Sequence, residues 1–377
     1  MQTPARATLN VGPPPSAPYS HVVSAGGLIY LSGALADGPN RQILHQGDVA
    51  GQTREVIERL RVRLEAAGSS LAQVVSVMVY LTTSSDFGVM NEAFRAYWPA
   101  DPPTRTTVIT NLVLPDALVE MTMIAVPNGA DRQVVHPAGW QRSPSPYSYA
   151  IQAGAALFLS GLIARNGRDN SVVPGDVAAQ TRVVLDNAGE ILAAAGRSYR
   201  DVVSARVYLP DGSTFEQMNS EYRRYFSAAP PVRATVRAGL AAAAYSVEMT
   251  LIASSEPRTI LEPGGAQNPN LSAAIVAGGR VYVSGMLGNQ PDTAGDVGKQ
   301  TTETLARIDR ALLAAGCTRS EVVDSLVYLT DVSGFAAMND AYRAFFGDRS
   351  LPARATVEAG LFAPDGLVEI MMTAVKP

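Results

Sequence analysis

One pattern, run through three times, limits what this chain can fold into more than any other feature. YLSG at 30–33 returns as FLSG at 158–161 and YVSG at 282–285. Gln52-Thr53 returns as Gln180-Thr181 and Gln300-Thr301, and VVSVMVYL at 74–81 as VVSARVYL at 202–209 and VVDSLVYL at 322–329. MNEAFRAYW at 90–98 matches MNSEYRRYF at 218–226 and MNDAYRAFF at 338–346. TRTTV, VRATV and ARATV begin at 104, 232 and 353, and VEM, VEM and VEI at 119, 247 and 368. The first two copies are separated by a constant 128 residues, and the third follows at 120 to 124, as small loop deletions would produce. Six landmarks in the same order define modules at 1–128, 129–255 and 256–377, joined by the short polar stretches PNGAD and SSEP. Linkers this brief keep consecutive copies adjacent.

Within a copy the hydrophobic period changes in a readable way. Val49, Val56, Ile57, Leu60 and Leu64 share one helical face that ends before Gly68, a favourable residue just past a helix. The second copy places Val177, Val184, Leu185, Ala188 and Leu192 before Gly196, and the third Val297, Leu305, Ile308 and Leu312 before Gly316. The VYL segments are β-branched and read as buried strands. The MN segments read as a second helix with a buried aromatic face. The predicted order is a short first strand, a hairpin, helix, strand, helix and a closing strand pair. That is an α+β fold, a mixed sheet with both helices on one face. The other face carries Val108, Val236 and Val357 and needs a cover. Packing the three sheets together as an intramolecular pseudo-trimer around a central β-barrel-like core would supply it. Beads on a string and trimers formed between chains are the alternatives.

Composition removes several function classes. With 30 basic against 34 acidic residues and no basic block, the chain lacks the stripe of a nucleic-acid binder and any pull toward an anionic membrane. The most apolar stretch, 238–253, is interrupted by Glu248. The N-terminus shows no secretory h-region. One cysteine, Cys317, forbids an internal disulfide and suits the cytoplasm, although a cysteine-poor secreted protein would look the same. Three histidines at unrelated repeat positions build no metal site of ordinary spacing.

These motifs together resemble the RidA (YjgF) family, known in older usage as L-PSP endoribonucleases. The resemblance rests on LSG after the hairpin, QT opening the first helix and AAG closing it, the VYL strand, MN-x-x-(F/Y)-R-x-(Y/F), P-x-R-(T/A)-T-V and VE(M/I). It spans all three copies. It implies homotrimer-like packing with ligand clefts between modules, and hydrolysis of enamine and imine intermediates to 2-keto acids and ammonia. A fused trimer would act as a monomer on a small carboxylate substrate, with no nucleic-acid or membrane partner.

By that resemblance Arg105, Arg233 and Arg354 bind the substrate carboxylate, for which a planar guanidinium is well shaped. Without it, each could equally be satisfied by a protein carboxylate. Glu120, Glu248 and Glu369 follow their arginines by 15 residues and are the candidate catalytic groups, able to position or deprotonate water. In a closing hairpin, arginine and glutamate of one copy would lie about 16 Å apart at strand rise, so a cleft using both would draw them from different copies. The family tyrosine falls on Tyr19 and Tyr147, whereas the third copy has Leu271, leaving at most two complete clefts. Asn91, Asn219 and Asn339 either line the cleft or anchor the second helix. Gly33, Gly161 and Gly285 would let backbone approach a ligand beside Ser32, Ser160 and Ser284. No histidine or nucleophile elbow accompanies those serines. Thr107, Thr235 and Thr356, two residues after each arginine, share its strand face. Ala34, Leu162 and Met286 after the LSG motif differ enough to give the clefts different shapes.

Three readings follow. The first is a hydrolytic deaminase of 2-imino and 2-enamino acids; imines hydrolyse in water, so positioning suffices and no cofactor is demanded. The second is a non-catalytic carboxylate-binding or scaffold protein. The third, a ribonuclease, lacks the basic groove and stacking aromatics that RNA calls for.

Overall fold

The computed structural model describes residues 6–265, 267–347 and 349–377. The first module contains β1 (Ala7–Leu9), β2 (Val22–Ala25), β3 (Leu28–Ala34), α1 (Val49–Ala66), β4 (Val74–Leu81), α2 (Phe87–Arg95), β5 (Thr104–Ile109) and β6 (Val119–Ala125). The second runs β7 (Gln133–Val135), β8 (Ala150–Ala153), β9 (Ala156–Leu159), α3 (Val177–Ala194), β10 (Val202–Leu209), α4 (Phe215–Tyr225), β11 (Val232–Arg237), β12 (Gly239–Leu240) and β13 (Glu248–Ser254). The third repeats it as β14 (Arg258–Leu261), β15 (Ala274–Ala277), β16 (Arg280–Leu287), α5 (Val297–Ala314), β17 (Val322–Leu329), α6 (Phe335–Phe346), β18 (Ala353–Glu358), β19 (Gly360–Leu361) and β20 (Val368–Val375).

The long helices begin and end where their chemistry says they should. Asp48, Asp176 and Asp296 accept hydrogen bonds from the backbone N–H of Gly51, Ala179 and Lys299, satisfying a donor that the first turn leaves free. Gly68, Gly196 and Gly316 stop them at φ of +78°, +68° and +74°, a region that costs a side chain dearly. All eight residues of β4 are buried, because alternation serves two cores. Val77 and Val79 join Val56, Ile57, Leu60 and Leu64 under the helices. Met78 and Tyr80 face the other way, with Val108, Val236 and Val357, into one apolar centre shared by all three modules.

The closing hairpin expected from sequence does not form. In the first sheet, ordered β1-β2-β3-β6-β4-β5-β12, β4 lies between β5 and β6, parallel to the former and antiparallel to the latter. The helix α2 between β4 and β5 carries the chain back across the sheet, which permits parallel pairing. β6 then takes the free edge of β4. The modules interlock in a cycle: β12 pairs with β5, β19 with β11, and Leu112 bridges to Val357. These short bridges leave three separate sheets, so no closed barrel surrounds the centre. Tyr80, Tyr208 and Tyr328 are fully buried there, with the hydroxyls of the last two 3.2 Å apart.

Candidate active site

Each seam between modules is built around one serine. A bulge in the pairing of β3 with β6 falls between Leu31 and Ala34 and turns the Ser32 hydroxyl out of its own ladder. Its Oγ donates to the Ser20 carbonyl at 2.6 Å and accepts from the backbone N–H of Arg354 in the third module at 2.8 Å. Ser160 does the same for Ser148 and Arg105, and Ser284 for Ser272 and Arg233. These hydroxyls are completely buried and already engaged on both sides. They latch the seam and leave nothing over for a ligand.

The arginines that the latches hold are 3–4% exposed, and no described carboxylate lies within ion-pair distance of them. Arg105 donates from Nη2 to Asn91 Oδ1 at 2.6 Å, and Arg233 to Asn219 Oδ1 at 2.8 Å, while Nη1 of each is buried without a partner. Asparagine thus orients the guanidinium in the first two modules. In the third module Asn339 Oδ1 is unpartnered, and Arg354 Nη1 points instead at Met338 Sδ, 3.9 Å away. An aromatic residue stacks on every arginine: Phe94 at 5.0 Å, Tyr222 at 4.7 Å and Tyr342 at 4.8 Å from Cζ. These rings lie three residues after each asparagine; the recurring F/Y of the MN motif was the signal, but its burial reads as core packing. Burial is the main reason the Arg105 guanidinium drops to about 10 and those of Arg233 and Arg354 fall below their ordinary value.

The glutamate facing each arginine comes from the neighbouring module. Glu248 Oε1 lies 3.4 Å from the backbone nitrogen of Thr107 and acts electrostatically on Arg105; Glu369 acts likewise on Arg233, and Glu120 on Arg354. The three seams form a head-to-tail cycle. Gly33, Gly161 and Gly285 also make room for the glutamates: a Cβ on any of them would collide with Oε1 of Glu120, Glu248 or Glu369. Burial pushes all three glutamates up to about 8, against the pull of the facing arginine. Glu120 Oε2 has no partner. Gln52 positions the strand that bears it, donating to the Asp116 carbonyl and accepting from Leu118 N–H at 2.8 Å; Gln180 and Gln300 repeat the arrangement. The hydroxyls of Thr107, Thr235 and Thr356 are buried and unpartnered.

The endoribonuclease L-PSP family matches the chain three times, over residues 10–127, 141–255 and 265–376. The chain belongs to that family. Its L-PSP modules are each similar in length to whole relatives. The 3-aminoacrylate deaminase RutC of Acinetobacter baylyi is 38% identical over 113 residues, which is 30% of this chain and 90% of that protein. A RutC family protein of Sulfurisphaera tokodaii is 50% identical over 91 residues, 24% of this chain and 73% of the relative. The crystal structure of a chorismatase superposes with a TM-score of 0.56 over 80% of this chain and 93% of its own, at 15% identity, and so shares the fold. The expected kinship with RidA and YjgF proteins therefore holds for all three modules.

The three L-PSP clefts are not alike. A cavity of about 710 Å³ opens at the seam between the third and first modules, lined by Arg354, Thr356, Tyr19, Gly33 and Glu120 among others. Tyr19 lies 5.9 Å from the Arg354 guanidinium. Tyr147 occupies the seam of Arg105, where it is electrostatically coupled to that arginine and burial raises its phenol. Leu271 belongs to the seam of Arg233, next to Ser272, which donates to Pro231. That cleft lacks the aromatic hydroxyl. Among the described residues, no helix is long and apolar enough to cross a membrane.

Proposed function

We propose that this chain is a single-chain pseudo-trimer, with modules at 1–128, 129–255 and 256–377, that hydrolyses 2-imino and 2-enamino acids to 2-keto acids and ammonia in the cytoplasm. One observation carries the reading. Arg354, buried and without an ion-pair partner among the described residues, shares one cavity with the buried Glu120 of the neighbouring module, whose carboxyl burial pushes up to about 8. The RutC relative, a 3-aminoacrylate deaminase, supports the same chemistry.

Arg354 clamps the substrate carboxylate, with the ring of Tyr342 beneath it and Thr356 beside it. Glu120, as the acid, protonates an enamine carbon or an imine nitrogen, which makes the C=N carbon electrophilic. The carboxylate so formed takes a proton from the water that attacks that carbon. Glu120 then returns that proton to the carbinolamine nitrogen and takes up the hydroxyl proton as the C–N bond breaks, releasing ammonia and the keto acid. No cofactor enters these steps. Arg105 with Glu248 offers the same pair, and Arg233 with Glu369 offers it with Leu271 in place of Tyr19.

The test generates a 2-imino acid enzymatically and follows keto-acid release with the wild type, with Arg105→Met, Arg233→Met and Arg354→Met singly, and with all three together. Acceleration over the spontaneous rate, lost in the triple variant and mostly in Arg354→Met, is expected. No acceleration by the wild type would leave the binding-protein reading in its place. Sedimentation should give a particle near 39.7 kDa; three times that mass would refute the intramolecular trimer.

A further inference from the structure

A second buried arginine enters the cavity that holds Arg354. Arg63, in the last turn of α1, is 7% exposed and lines the same cavity. Its Nε and Nη1 are buried without a hydrogen-bond partner, and no described carboxylate forms an ion pair with it. The other charged residues nearby are already committed. Asp37 pairs with Arg59 and Arg41, Glu55 with Arg59, and Glu58 with Arg61. An isolated cation held out of water is costly, and such a group persists where something anionic is brought to it. Fold position does not demand it: the corresponding sites hold Ile191 in the second module and Ala311 in the third, both fully buried.

Two further replacements set this cleft apart from that of the second module. Gly12 lines the cavity where the second module has Trp140, and His21 stands where it has Tyr149. Trp140, Tyr149 and Ile191 pack together in the apolar core of the second module. The first module leaves that volume open and polar. His21 Nδ1 accepts from the backbone N–H of Val11 at 3.1 Å, so the ring's proton resides on Nε2. Burial, with Arg63 next, holds His21 down at about 4, and it is neutral at physiological pH. Tyr19 is the common neighbour of Arg63 and Arg354, standing close enough to act on both guanidiniums. The cavity is thus lined by two arginines without an ion-pair partner among the described residues, both close enough to Tyr19 to feel it.

We propose that the cleft between the third and first modules takes a substrate with two carboxylates, the α-carboxylate on Arg354 and a side-chain carboxylate on Arg63. This rests on the reading of Arg354 as the α-carboxylate clamp. At about 710 Å³ the cavity is of the size that holds small-molecule ligands and exceeds what a three-carbon acid fills. The substrate class is an acidic 2-imino acid, and the product a 2-keto dicarboxylate.

Binding of the product class separates this proposal from the catalytic one. Calorimetry on the full chain at pH 7 would compare 2-oxoglutarate and 2-oxoadipate with 2-oxobutyrate and 2-oxohexanoate. The diacids are expected to bind about 10- to 100-fold more tightly, the range of a charge-assisted hydrogen bond. Arg63→Ile, which copies the residue of the second module, removes that preference and changes monoacid affinity less than about threefold. Arg63→Lys retains part of it and guards against loss of fold. Equal affinity for mono- and diacids in the wild type, or an Arg63→Ile variant that weakens both alike, overturns the second subsite while leaving Arg354 in place. Binding of neither class would overturn the α-carboxylate clamp as well.

Discussion

Replacing Arg354 by methionine should make the protein more stable and disable the cleft between its third and first modules. The guanidinium is 4% exposed and has no acidic partner, and its side chain touches Met338 Sδ and the Tyr342 ring. Withdrawing such a cation from water costs several kcal/mol after relaxation. A desolvated cation–π contact returns about 2 kcal/mol. Methionine fills a similar volume and can rest its sulfur on the same ring. The latch survives the change, since Ser32 accepts from the backbone N–H. The difference leaves a net stabilisation of about 1–3 kcal/mol. Over 377 residues, at about 2.1 cal/mol/K each, that raises Tm by about 1–4 °C if the modules unfold together. Differential scanning calorimetry reads it directly. A keto acid at a hundred times its Kd for that cleft should add about 2.7 kcal/mol to the wild type there, while the variant keeps only what the Arg105 and Arg233 clefts contribute. A variant that melts several degrees lower and responds to keto acid as strongly as the wild type would show that Arg354 is a structural ion, and the account of the seam would be wrong.

Raised glutamates make stability depend on pH with a defined sign. Folded values near 8 against an ordinary 4.5 mean that the folded state holds more protons between those limits. Stability should therefore decline from about pH 4.5 to 8, and the Glu120→Gln, Glu248→Gln, Glu369→Gln triple variant should flatten that slope in denaturant titrations. Keto-acid affinity should fall above about pH 8 as Glu120 becomes an anion; an affinity independent of pH from 6 to 9 would count against its place beside the ligand. Gly33→Ala drives a methyl into Glu120 Oε1 and should cost about 1–3 kcal/mol with loss of most activity, while unchanged kinetics would mean the carboxyl can leave its seat harmlessly. Ser32→Ala strips the Arg354 N–H of its acceptor in a buried seam and should cost about 1–3 kcal/mol by chemical denaturation.

Helices, buried strands and the need to cover Val108, Val236 and Val357 were legible because each depends on local periodicity and composition. The pairing order was not. Sequence proximity of TRTTV and VEM suggested a hairpin, whereas α2 carries the chain across the sheet and places β4 between them. Offset alone correctly indicated that arginine and glutamate would meet across a seam, but not which neighbours or in which rotational sense. The repeat glycines were visible but not their contact with the glutamates, which lie 84 to 87 residues downstream. Averaging over repeats also hid Arg63. A search for what three copies share passes over a residue present in one.

That last point bears on why the trimer is fused. In an assembly of identical chains, any substitution at a seam appears three times. An arginine at position 63 would be buried in all three clefts, each costing several kcal/mol when empty. Fusion removes the constraint. Here Arg63, His21 and Gly12 open one seam, Trp140, Tyr149 and Ile191 fill the corresponding core of the second module, and Leu271 removes the hydroxyl from the third seam. The latch, the arginine, the glutamate and its glycine are retained throughout. Those parts hold the modules together and set each arginine against a neighbour's glutamate. Arg63, His21 and Gly12 line the cavity, whereas their counterparts in the second module are packed in its core, so the modules differ in the space beside the arginine and agree in the arginine and glutamate themselves.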